Sequence, residues 1–125
     1  MSKLKKEIKS SLQSLAAAGD LKTLAVFNFP KKFIGFKGHF PNRPILPGVC
    51  KIQAALLALE ERRKKNVRLS EILQAKFFAP VTFNQELTFS LEEEPLGEAE
   101  SYLTVKVTSQ AQKIAELRLR VYFPD

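Results

Sequence analysis

The sequence predicts an α+β domain in which one antiparallel sheet encloses a single buried helix. Three observations carry this reading. The segment from Val49 to Leu59, VCKIQAALLAL, is apolar nearly all round, which marks a buried helix rather than an amphipathic surface one. Four strand-like runs follow it, and three of them alternate apolar with polar side chains, as strands with one covered face do. Ten Phe and no Trp among 125 residues, 45% of them hydrophobic, supply a core filled largely by Phe and exclude a disordered tail.

Taken in chain order, Leu4, Ile8, Leu12 and Leu15 fall at helical spacing with Lys on the other face. They predict an N-terminal helix within residues 1–18, stopped at Ala18-Gly19-Asp20. Residues 22–29 read as a strand ended by Pro30, and 33–40 as a short aromatic segment cut by Gly35 and Gly38. Three prolines between Pro41 and Gly48 make a stiff connector. Pro47 suits the first turn of the central helix, 47–64, whose charged exit runs from Glu60 to Lys65. Strands are expected at 70–78, 86–91 and 102–108, with the Glu-rich stretch EEEPLGEAE as a turn. In the last run Leu117, Leu119, Val121 and Phe123 share one parity and Ile114 the other, so a bulge is expected near Ala115. No repeat or linker divides the chain, and 1–125 reads as one domain.

One Cys and one His cannot form an intrachain disulfide or a zinc site from this chain alone. No apolar run is long enough to span a bilayer. The basic N-terminus lacks the apolar stretch of roughly 7–15 residues that a signal peptide needs, so a cytoplasmic protein is expected. Charge is unevenly placed. Residues 1–43 carry nine Lys/Arg against Glu7 and Asp20 and so hold the whole net charge of +7, while residues 44–125 balance. Such a one-sided field favours a polyanionic partner.

Chemistry concentrates between Gly38 and Gln53. A Pro-rich loop carries His39 to the mouth of the buried helix, and Gly48 allows close approach to the helix start. Free N–H groups there would suit a carbonyl oxygen gaining negative charge, next to an imidazole able to move a proton. The residues alone also allow His39 to be no more than a loop cap.

The string GHFPNRPILPGV resembles the active-site motif of the 3-hydroxyacyl-acyl-carrier-protein dehydratases, and ILQAKFFAPVTFNQELTFSLE is similar to that family's third and fourth strands. Phe83-Asn84-Gln85 replaces the family's usual Pro-Gly-Asp turn. The Pro-Gly-Val-Cys turn also resembles small proteins of aryl-polyene and flexirubin-type pigment clusters. The resemblance implies a hotdog fold and elimination of water from a 3-hydroxyacyl thioester to give the trans-2-enoyl product, without metal or nucleotide cofactor. By position it implies proton transfer by His39 at the α-carbon and a hydrogen bond from the Gly48 N–H to the thioester carbonyl. Phe40, Pro47 and Val49 would line the substrate. It also implies an acyl carrier protein as substrate donor and a homodimer, or a higher assembly of dimers, joined edge to edge. Lys31, Lys32, Lys37 and Arg43 would form the carrier-docking rim. Nucleic acid is the rival use of that charge, but no aromatic-basic recognition motif accompanies it, and no membrane partner is expected.

One departure stands out. The family carries a carboxylate on the central helix, contributed by the other subunit, where this chain has Gln53. A primary amide donates and accepts hydrogen bonds but cannot act as a general acid near neutral pH. Either Gln53 orients the β-hydroxyl while one imidazole moves both protons, or dehydration has been lost. Set among Val49, Ile52, Leu56 and Leu57, Gln53 is expected to be buried, where an unpartnered amide costs about 1–3 kcal/mol. Glu60 lies two turns on, about 10 Å along the axis, and is expected to be solvated. Cys50, in the first turn, would gain thiolate character from the dipole or act as a small buried hydrophobe. An acyl thioesterase and a non-catalytic acyl-binding or partner subunit remain as alternatives.

Overall fold

A computed structural model describes residues 2–37 and 44–124. Their order is α1 (Lys3–Ser11), β1 (Leu12–Ala17), β2 (Lys22–Asn28), a 3-10 turn at Ile34–Phe36, α2 (Gly48–Arg63), β3 (Arg68–Phe77), β4 (Glu86–Leu96), β5 (Glu100–Ser109) and β6 (Gln112–Tyr122). The strands form one six-stranded sheet in the order β1-β2-β4-β5-β6-β3, with every pairing antiparallel. α2 packs against β1, β2, β3 and β4. Its residues Ile52, Ala54, Ala55, Leu56, Leu57, Ala58 and Leu59 are buried with the inward faces of β2, β4, β5 and β6. Phe27, Phe29, Phe33 and Phe89 are fully buried in contact, with ring centroids 4.7 to 5.7 Å apart between successive neighbours.

The N-terminal helix is shorter than its apolar spacing predicts. Ser2 caps it, accepting from the Lys5 N–H at 3.1 Å, and it ends at Ser11. The Ser10 and Ser11 hydroxyls turn back onto the Lys6 and Glu7 carbonyls, a bond that loosens a helix. Leu12–Ala17 then pairs with β2, with a register shift between Leu12 and Ser14. That irregularity lets Leu12 and Leu15 both face the core from a strand, so their three-residue spacing satisfies either structure.

The other boundaries differ less. α2 is bounded by Pro47 and by Lys64, which takes a left-handed conformation (φ 57°) and donates its N–H to the Glu60 carbonyl. The Glu-rich stretch is strand rather than turn as far as Leu96, with Glu93 facing inward. The register between β5 and β6 slips at Val107/Thr108, where Ile114 and Ala115 are both buried, and this is the bulge the parity change called for.

Candidate active site

Pro47 ends the connector with φ −62°, and α2 begins at the next residue. No side chain caps this end. The Cys50 N–H donates to the Pro47 carbonyl at 3.0 Å; the Gly48 and Val49 amides before it have no intrahelical acceptor, and the helix dipole adds partial positive charge there. Leu46 fixes the approach. Its N–H donates to the Val81 carbonyl at 2.7 Å, its side chain is buried, and its own carbonyl accepts from Lys51 Nζ at 3.0 Å.

Pro47 and Gly48 share one cavity of about 310 Å3 with Ile45, Lys51, Phe77 and Phe78 among its walls. A methyl group on Gly48 would stand 2.7 Å from Phe77 Cζ, so the ring reaches the helix start only because position 48 has no side chain. Lys51 is 3% exposed and its Nζ lies 5.3 Å from the centre of the same ring. Burial lowers its pKa from the ordinary lysine value, opposed in part by the Cys50 thiol.

The remaining expected residues divide. Val49 (59% exposed) and Gln53, four residues apart, lie outside that cavity on the open side of α2. Gln53 borders a separate hollow of about 60 Å3 with Lys5, Leu56 and Glu60. The expectation of a buried Gln53 is therefore corrected: other elements cover the remaining faces of α2 and leave this stripe open. Glu60 is corrected too. It pairs with Lys5 Nζ at 2.8 Å and accepts from the Val67 N–H at 2.9 Å, its side chain 13% exposed, so it is committed to structure. Cys50 is buried, and desolvation pushes its thiol up, a shift that Lys51 opposes; that is the reverse of an activated nucleophile. Lys31, Lys32 and Lys37 are exposed, with Lys31 Nζ 5.6 Å from the Phe83 ring centre. His39, Phe40 and Arg43 lie outside the described residues.

Sequence reasoning missed Lys51 and Phe77. The available signal was a lone charge inside VCKIQAALLAL, opposite an aromatic pair at the end of a strand. Among the described residues no group of three or more His, Cys, Asp or Glu is placed to hold a metal.

This sheet, with its central helix, is that of the hotdog proteins. The dehydratase heterocomplex ApeI:P from Xenorhabdus doucetiae superposes with a TM-score of 0.78 at 18% identity, over 89% of this chain and 96% of that one. The E. coli PaaI protein from the phenylacetic acid degradation operon gives 0.69 at 11% identity, over 95% and 86%. Within that class, residues 17–118 match the ApeI-like family, described as ApeI dehydratase, and the chain belongs to it. It is also 36% identical over 81 residues to the 3-hydroxyacyl-[acyl-carrier-protein] dehydratase FabZ of Roseiflexus sp. (strain RS-1), covering 56% of this chain and 57% of that protein. FabZ of Bartonella bacilliformis is 32% identical over 82 residues, covering 59% and 53%. The chain thus spans about half the length of the curated relatives it matches.

Proposed function

We propose that the chain is a dehydratase of 3-hydroxyacyl thioesters delivered on an acyl carrier protein, releasing the trans-2-enoyl thioester. The observation that carries the reading is the uncapped start of α2: Gly48 opens an apolar cavity directly after the GHFPNRPILP string. Membership of the ApeI-like family and the FabZ likeness support the same reaction class. In this reading the Gly48 N–H holds the thioester carbonyl and His39 removes the α-proton. The electron pair forms the enolate, which collapses to the Cα=Cβ bond and expels the β-hydroxyl as water with the proton returned by the same imidazole.

Gln53 faces out of its own protomer, as a residue serving a neighbour's site would. We place it against the β-hydroxyl in the site of a partner subunit, in a dimer joined along β3. The exposed Lys31, Lys32 and Lys37 offer a rim for an acidic carrier, to which the resemblance adds Arg43, so carrier binding weakens as salt rises.

The test is to incubate pure protein with a 3-hydroxyacyl-carrier-protein and follow the acyl group by mass spectrometry. Loss of 18 mass units (about one water) is the expected outcome, and His39→Ala abolishes it. Gln53→Glu raises the rate, since a missing acid–base partner typically costs about 10²–10⁴-fold. Free acid with holo-carrier would identify a thioesterase instead. Bound but unchanged substrate would identify the non-catalytic subunit that an amide at position 53 also allows.

A further inference from the structure

Lys51 is placed where a lysine is costly. Its side chain is buried, in the first turns of a helix where the dipole disfavours a cation. No carboxylate among the described residues pairs with it. An ammonium has three donors. One goes to the Leu46 carbonyl at 3.0 Å, and the Phe77 ring face lies 5.3 Å away as a second, weaker partner. The remaining donor capacity borders the cavity that Gly48 opens. A buried ammonium with spare donors is costly unless it gives up its proton or meets an anionic or strongly polarised oxygen, and the cavity beside Lys51 is open to such an oxygen.

We propose that the Lys51 ammonium is a second donor to the thioester oxygen, acting beside the Gly48 N–H as that oxygen gains charge. The inference rests on the dehydratase reading and adds a residue to it. The α-C–H bond breaks, its proton goes to His39, and its electron pair moves into the new Cα=C bond of the enolate, leaving negative charge on the thioester oxygen. Lys51 stabilises that charge without transferring a proton. Phe77, half exposed, stands against both Gly48 and Lys51, and in the proposed reaction its ring must give way to the oxygen.

Protonated Lys51 is the working form, and burial lowers its pKa. Activity therefore falls as pH rises through a value below that of a free lysine. The titratable neighbour on its own helix is Cys50. From the strands the nearby charge is Lys113 of β6, over the adjacent Phe78 ring at 5.7 Å.

The test compares wild type with Lys51→Met and Lys51→Arg, each first shown to melt cooperatively. Dehydration is measured with a 3-hydroxyacyl-carrier-protein, and enolate formation separately as α-hydrogen exchange of butyryl-pantetheine in D2O. Lys51→Met is expected to lower kcat and exchange together by about 10²–10³-fold, as loss of an oxyanion donor does, with KM changed far less, and to remove the alkaline limb. Lys51→Arg, charged throughout, recovers part of the rate and also lacks that limb. Equal rates and pH profiles in wild type and Lys51→Met would overturn the role of Lys51 and leave dehydration standing. A wild type that exchanges but does not dehydrate sinks the dehydratase reading while Lys51 is still decided by exchange. A wild type that does neither overturns both.

Discussion

Gly48 meets two demands at once. In the proposed reaction it exposes its amide at the first turn of α2, and in the fold it leaves room for the Phe77 ring, which a methyl group would crowd at 2.7 Å. Because that ring is about half exposed, Gly48→Ala is expected to displace the ring rather than break the fold. Its melting temperature stays close to wild type while turnover drops about 10²-fold or more, because the added methyl and the displaced ring crowd the oxygen that the intact amide is to hold. Steady-state kinetics beside a thermal melt check this, and undiminished turnover would remove Gly48 from the site. At this scale the dodecapeptide motif made position 48 legible, since the spacing from proline to glycine sets where a helix can start. Lys51 was not legible. Its burial depends on the connector folding back at Leu46 and on Phe77 of β3, distant in the chain, closing over it.

Elements were readable wherever one periodicity had no rival. The apolar run of α2, the alternation in β5 and β6 and the bulge at Ile114/Ala115 came through because burial on one face writes its period into the chain. β1 did not, because a register shift after Leu12 imitates helical spacing. The C-terminal half of β4 was obscured by Glu93, an inward-facing acid where an apolar residue would mark a strand. Its partner is Arg63, at the end of α2, whose Nε donates to both carboxylate oxygens at 3.0 and 3.1 Å. Arg63 also donates to the Asp20 carbonyl, and Arg62 to that of Gly19, so the exit of α2 is tied to the β1–β2 turn and to β4. Arg63→Met strands Glu93, whose side chain is only 5% exposed, and is expected to cost about 3 kcal/mol. Urea unfolding measures it. The pair Arg63→Met/Glu93→Leu recovers most of that loss, and a single variant as stable as wild type would show that the ion pair does not hold the elements together.

On the scale of the molecule, β3 is one of the two edges of the sheet and the one on which the proposed dimer rests. It pairs on one side with β6, is exposed at every residue but Leu69, and shows solvent Ile72, Leu73 and Phe77. If the proposed dimer forms there, with Gln53 of the partner subunit completing the pocket that Gly48 opens, two crippled chains can repair each other. Mixing His39→Ala with Gln53→Ala chains after unfolding and refolding should restore about a quarter of wild-type activity, since half the dimers are mixed and each holds one intact site. No gain on mixing would place His39 and Gln53 within a single protomer. The bare β3 edge also bears on supply in the cell. If the dimer forms as proposed, a newly made copy that finds no mate offers every passing strand a template, and orphans of this kind are lost to clumping or to proteases. In such a dimer of like copies, the usable amount of this protein rises more steeply than its own rate of synthesis, because each copy must meet another before its edge is covered.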